Sequence, residues 1–135
     1  MKKYSIILTA VFFSFLFFNF TSQNGPNDAN ILEDGGLNMP ADVKAVVDNS
    51  CYGCHHTDSK NEKGKKKLNF DSFGTEYSDI KSAGKLKEMA KLTIDGDMPP
   101  EKYLVHNPEK ALNNAQRKIV YIWAMEESKK YNEKK

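Results

Sequence analysis

Apolar positions first appear in one dense block. From Ser5 to Phe20 the chain is dominated by Ile, Leu, Val and Phe, with Thr9, Ser14 and Asn19 inside the run and Lys2 and Lys3 ahead of it. A positive start followed by a short apolar core has the layout of a secretory signal. The run is shorter than the roughly 20 residues that span a bilayer. Residues 1–23 are therefore expected to be a signal peptide, cut between Thr21 and Asn24, with retention as an N-terminal membrane anchor as the alternative. No cysteine stands directly after the block, which argues against a lipid anchor.

Residues 24–39 are rich in Asn, Asp, Gly and Pro and predict a linker. From Pro40 onward the pattern is helical. Proline fits a first helical turn, and Asp42 suits the positive end of the dipole. Val43, Val46 and Val47 then give one apolar face at i, i+3, i+4. Asp58 to Lys67 (DSKNEKGKKK) has no apolar period and predicts a solvated loop, and the patch Leu68-Asn69-Phe70-Asp71-Ser72-Phe73 follows it. Tyr77, Ile80, Leu86, Met89, Ala90 and Thr93 predict a helix interrupted at Gly84 and ended by Asp95-Gly96. Met98-Pro99-Pro100 cannot continue it. The last helix starts at Asn113, with Gln116 placed for a capping box. Ile119, Ile122, Trp123 and Glu126 mark one face of that helix, which Val120 and Tyr121 widen. No strand pattern or repeat is present. The prediction is an all-α domain over residues 40–130 with a charged tail, 131–135.

Composition changes this picture little. The formal charge is +2, and it falls to zero once residues 1–23 are removed, because Lys2 and Lys3 are the only charges there. Nothing in that balance points to nucleic acid. The lysines at 63, 65, 66 and 67 are expected to be a solvated surface, with steering of an acidic redox partner as their functional alternative.

The chemistry lies in Cys51-Tyr52-Gly53-Cys54-His55, which reads C-x-x-C-H and uses both cysteines of the chain. This is the attachment signal of a c-type haem. Two thiols at this spacing can form thioether bonds to the two vinyl groups of one porphyrin, and the adjacent imidazole becomes the proximal iron ligand. The spare donors are methionines and histidines. Met98 is the best placed, 43 residues after His55, between two helices and next to two prolines that hold it extended. Met39 shares the Met-Pro chemistry but precedes the haem helix, while Met89 and Met125 sit at core spacing. His56 is expected to be exposed, and His106 competes as axial ligand or haem-propionate partner. A zinc site would need a further ligand pair at short spacing, which is absent. A thiol–disulfide module would leave His55 without a role.

Four ordered segments carry a resemblance: Asn49 to His55, Leu68-Asn69-Phe70, Met98-Pro99-Pro100 with Tyr103 and His106, and Ile122-Trp123. Together they resemble the small cytochrome c-like haem-binding domain family of exported bacterial proteins, over roughly residues 40 to 127. The resemblance implies a monohaem, all-α domain with Cys51 and Cys54 as attachment points, His55 as proximal ligand and Met98 as distal ligand. It departs from the family in one place. Where an aromatic Tyr-Pro-Trp-Tyr stretch and a helical segment usually follow the haem motif, only the lysine-rich loop stands here. The expected function is single-electron transfer by an exported, periplasmic c-type cytochrome that is not an enzyme. It would carry one haem c and exchange electrons with a redox protein, touching membrane only if the N-terminal segment is retained. The alternative is a haem-based gas binder or sensor whose sixth position opens.

Overall fold

The computed structural model describes residues 32–34 and 36–133, so the predicted signal peptide lies outside the described residues. Among the described residues no helix is long and apolar enough to cross a membrane. The architecture is all-α: α1 (Ala41–Ser50), α2 (Glu62–Lys67), α3 (Asp79–Asp95), α4 (Glu101–Leu104) and α5 (Asn114–Glu133). Short 3-10 turns at Phe70–Ser72 and Pro108–Lys110 connect them.

One small hairpin departs from the expected linker. β1 (Leu32–Asp34) pairs antiparallel with β2 (Leu37–Met39), Leu32 opposite Met39. Leu37 and Met39 are fully buried. Three links tie the hairpin to α5: Trp123 Nε1 donates to the Asn38 carbonyl at 2.8 Å, Tyr131 Oη to the Gly36 carbonyl at 2.8 Å, and Asn38 N to Glu127 Oε1 at 3.3 Å. The domain therefore begins before Pro40, and Met39 is a core residue. Sequence reading missed this because three-residue strands in an Asn-, Asp- and Gly-rich stretch have the composition of a linker.

α1 follows the expected pattern. The Pro40 carbonyl accepts from Lys44 N, and Val43, Val46 and Val47 are buried. α3 starts at the Ser78 cap and runs unbroken through Gly84. It ends at Gly96, whose φ of +85° is the left-handed C-cap geometry that glycine adopts without strain. Ser82, Ala83, Leu86, Met89, Ala90 and Thr93 form its buried face, whereas Ile80 is 84% exposed. A β-branched residue in the first turn was thus assigned to the wrong side.

α5 has the predicted reciprocal box: Gln116 N donates to Asn113 Oδ1 at 2.9 Å, and Asn113 N to Gln116 Oε1 at 3.0 Å. Its buried stripe is Val120, Trp123, Ala124, Glu127, Ser128 and Tyr131. This is a strict 3.6-residue pattern rotated from the predicted face, with Ile122 and Glu126 exposed. Tyr131, expected at the head of a charged tail, is buried against Phe73, and the helix continues to Glu133. α3 and α5 pack along each other as the main helix pair. Phe73, 0% exposed, joins Leu37, Val47, Leu86 and Val120 in the core, with Tyr77 meeting its ring edge-on at 5.2 Å.

Candidate functional site

The haem motif starts where α1 ends. Cys51 N and Tyr52 N both donate to the Val47 carbonyl at 2.9 Å. Two turns follow at once, Cys54 N to the Cys51 carbonyl and His55 N to the Tyr52 carbonyl, each at 3.1 Å. This winding puts both thiols and the imidazole on one wall of a cavity of about 410 Å³. Met98 lies on the same cavity. Apolar atoms from Leu68, Met89, Leu92 and Pro99 line much of the rest, with Lys63, Lys67 and Lys85 among the polar residues at its boundary. The cavity thus gathers all four residues that sequence reading singled out.

His55 is oriented by backbone. Its Nδ1 lies 2.9 Å from the Gly64 carbonyl oxygen and 3.0 Å from that of Leu68. Both partners are acceptors only, so Nδ1 carries the proton and donates. In the neutral ring this tautomer leaves Nε2 as the nitrogen with a lone pair, the form in which an imidazole ligates a metal. Leu68 N also donates to the Gly64 carbonyl, so His55 joins the C-terminal end of α2.

Met98 is set by the exit from α3. Asp97 N and Met98 N donate to the Leu92 carbonyl at 2.9 and 3.3 Å, folding the chain back after Gly96. The Met98–Pro99 peptide is cis, Pro99 is buried, and Met98 is half-buried.

A family model described as a haem-binding domain matches residues 58–126, just over half of the chain. The chain belongs to the haem-binding domain family. No curated protein and no solved structure matches. The matched stretch holds Met98, α3 and most of α5, and the Cys51–His55 motif stands immediately before it.

The haem-binding domain is suited to its cofactor by the cavity itself. It is walled largely by apolar side chains, is lined by both cysteines, and has an imidazole whose Nδ1 is taken by backbone carbonyls. Both cysteines are unpaired. Burial, with the neighbouring Cys54 thiol adding to it, pushes the Cys51 thiol up to about 12. A redox-active dithiol needs the opposite, a depressed thiol in an electropositive setting, so the thiol–disulfide reading finds no support. Among the described residues no three His, Cys, Asp or Glu side chains gather into a metal site, so the zinc reading finds none either.

The other histidines of the haem-binding domain take different places. His56 is half-buried instead of exposed, stacked on the Tyr52 ring at 5.0 Å with Nδ1 2.7 Å from the Tyr52 carbonyl. His106 is exposed and is not among the residues lining the cavity, whereas Met98 is. Of the aromatic patch, Leu68 reaches the cavity whereas Phe70 and Phe73 belong to the core behind it. Trp123 is a core residue, as expected.

Sequence reading missed the supports of the motif. The lysine-rich stretch is a helix, α2, whose N-cap Asn61 accepts from Gly64 N at 2.9 Å; a helical segment thus follows the haem motif after all. Asn-Glu ahead of the lysines is a capping signal that could have been read. Asp71 clasps the motif from the far side: Oδ1 accepts from Tyr52 Oη at 2.7 Å and Oδ2 from Thr57 N at 2.8 Å. Burial alone would raise its carboxyl, but the hydrogen bonds from Thr57 and Tyr52, and nearby His56, outweigh it and hold the group below its ordinary value.

Proposed function

We propose that this haem-binding domain is a c-type electron carrier. Cys51 and Cys54 would hold the haem by thioether bonds, His55 Nε2 would be the proximal ligand and Met98 Sδ the distal one. One observation carries the reading: the two thiols, the committed imidazole and the methionine share one largely apolar cavity. Each proposed ligand stands on a backbone support, His55 on the Gly64 and Leu68 carbonyls and Met98 on the turn closed by the Leu92 carbonyl. Ligands held this way change little between oxidation states, which favours fast single-electron exchange. Methionine opposite histidine raises the reduction potential relative to two imidazoles.

We read the chain as exported to the periplasm on its Lys2-Lys3 and Ser5–Phe20 segment, working without substrate turnover alongside a redox protein partner. Intact mass and absorbance of the exported product test this. The expected result is one covalent haem, a low-spin reduced spectrum, and a sulfur-to-iron charge-transfer band in the oxidised form. Met98→Ala should lose that band and gain carbon monoxide binding in the reduced state. A wild type without the band would sink the Met98 assignment. Ready carbon monoxide binding by the wild type would favour the gas-binding reading.

A further inference from the structure

Gly64 stands in the middle of α2, where that helix rests on the haem motif. A Cβ placed on it would lie 2.7 Å from the Cys54 carbonyl oxygen and 3.1 Å from Asn61 Cγ. The first of these atoms is backbone of the motif, so it cannot swing aside as the end of a side chain would. That carbonyl is one residue from His55. Any side chain at position 64 must push α2 off the motif or distort the turn that presents His55. The glycine is not required by its backbone, because its φ is not among the positive ones, at Gly36, Gly74 and Gly96. Nor does it help the helix, since glycine weakens a helix interior relative to alanine. What remains is the close approach itself. The Gly64 carbonyl is also one of the two acceptors of His55 Nδ1, at 2.9 Å.

We propose that Gly64 is a positioning residue for the iron's histidine ligand: having no side chain, it lets α2 settle on the Cys54 carbonyl so that its own carbonyl holds the His55 Nδ1 proton and directs Nε2 into the cavity. The inference rests on the haem reading above. A hydrogen bond from Nδ1 makes imidazole a more basic ligand, and a more basic ligand favours the oxidised iron. Moving α2 away therefore shifts the reduction equilibrium toward the reduced form.

The test compares haem-loaded wild type, Gly64→Ala and the control Gly84→Ala. Gly84 also lies inside a helix, but a Cβ there would meet nothing within 4 Å. Gly64→Ala should raise the midpoint potential, by about 59 mV for each tenfold change in the one-electron equilibrium constant, and should lower the melting temperature. Gly84→Ala should leave the potential unchanged and raise the melting temperature. A second measurement needs no variant. In the reduced wild type the His55 Nδ1 proton should exchange slowly with solvent and show dipolar contacts to protons between Gly64 and Leu68; absence of both overturns the inference even if Gly64→Ala fails to mature. A haem-loaded Gly64→Ala with wild-type potential and spectrum overturns it alone. A wild type without covalent haem overturns the parent reading, and this inference with it.

Discussion

Replacing Asp71 by asparagine keeps the shape of the side chain and removes its charge. In the wild type one carboxylate oxygen accepts from the Tyr52 hydroxyl at 2.7 Å and the other from the Thr57 N–H at 2.8 Å, so the group ties the interior of the haem motif to the chain just after it. An amide has one accepting oxygen. With that oxygen on the Thr57 N–H, the NH₂ can donate to the Tyr52 hydroxyl oxygen, so what is lost is the charge on the acceptor. Two charge-assisted bonds thereby become neutral ones, the Thr57 contact being the more exposed of the two. A hydrogen bond to a charged acceptor contributes about 1.5–3 kcal/mol when sheltered, and less where solvent reaches it. The expected loss is about 1–2 kcal/mol at pH 7. The sign with pH follows from the direction of the shift. The carboxyl is held below its ordinary value in the folded protein, so its contribution is complete above the unfolded value of about 3.9 and fades as pH falls through the lower folded value. Urea titrations of haem-loaded wild type and Asp71→Asn between pH 7 and pH 3 read this directly. The gap should be constant at neutral pH and narrow only below about pH 4. A gap within about 0.5 kcal/mol at pH 7, the scale of an ordinary surface change, or one that persists undiminished at pH 3, would refute the clasp.

Two further perturbations address the frame around the site. Trp123→Phe keeps most of the buried ring but deprives the Asn38 carbonyl of its donor; it should cost about 1–3 kcal/mol and make residues 32–39 the first segment cut in limited proteolysis, where an unchanged cleavage pattern would count against the hairpin as a docked element. Asn113→Ala removes the side-chain acceptor of the α5 box and leaves the backbone N–H that donates to Gln116 Oε1. It should lower stability by about 1 kcal/mol without altering the haem spectrum, whereas a spectral change would mean that the start of α5 bears on the cavity.

The elements with an apolar period and a cap were legible in the sequence. Val43, Val46 and Val47 on α1, the Asn113–Gln116 box on α5 and the stop after Asp95 all follow from local rules. What misled the reading was polarity in unexpected places. Glu127 and Ser128 are buried because each has a partner, Asn38 N and Lys130 for the carboxylate and the Met125 carbonyl for the hydroxyl, and no partner can be seen along a sequence. Ile80 and Ile122 are exposed, and they pulled the predicted faces out of phase. α2 has no apolar face to recognise, since it is held by its cap and by the motif beneath it. The site residues were visible because the spacing of cysteines and histidine is itself chemical information. Their geometric supports, Gly64, Leu68 and Asp71, act through backbone atoms or across long separations, and composition is silent about both.

The shortness of α2 bears on the order of assembly. A helix of six residues does not persist alone in water. Before the domain packs, residues 62–67 are therefore coil and the neighbouring thiols are open to whatever comes from outside. Packing lays α2 against the Cys54 carbonyl, and burial raises the Cys51 thiol above its ordinary value. On the proposed reading, the motif is more open to haem attachment before α2 settles on it than after.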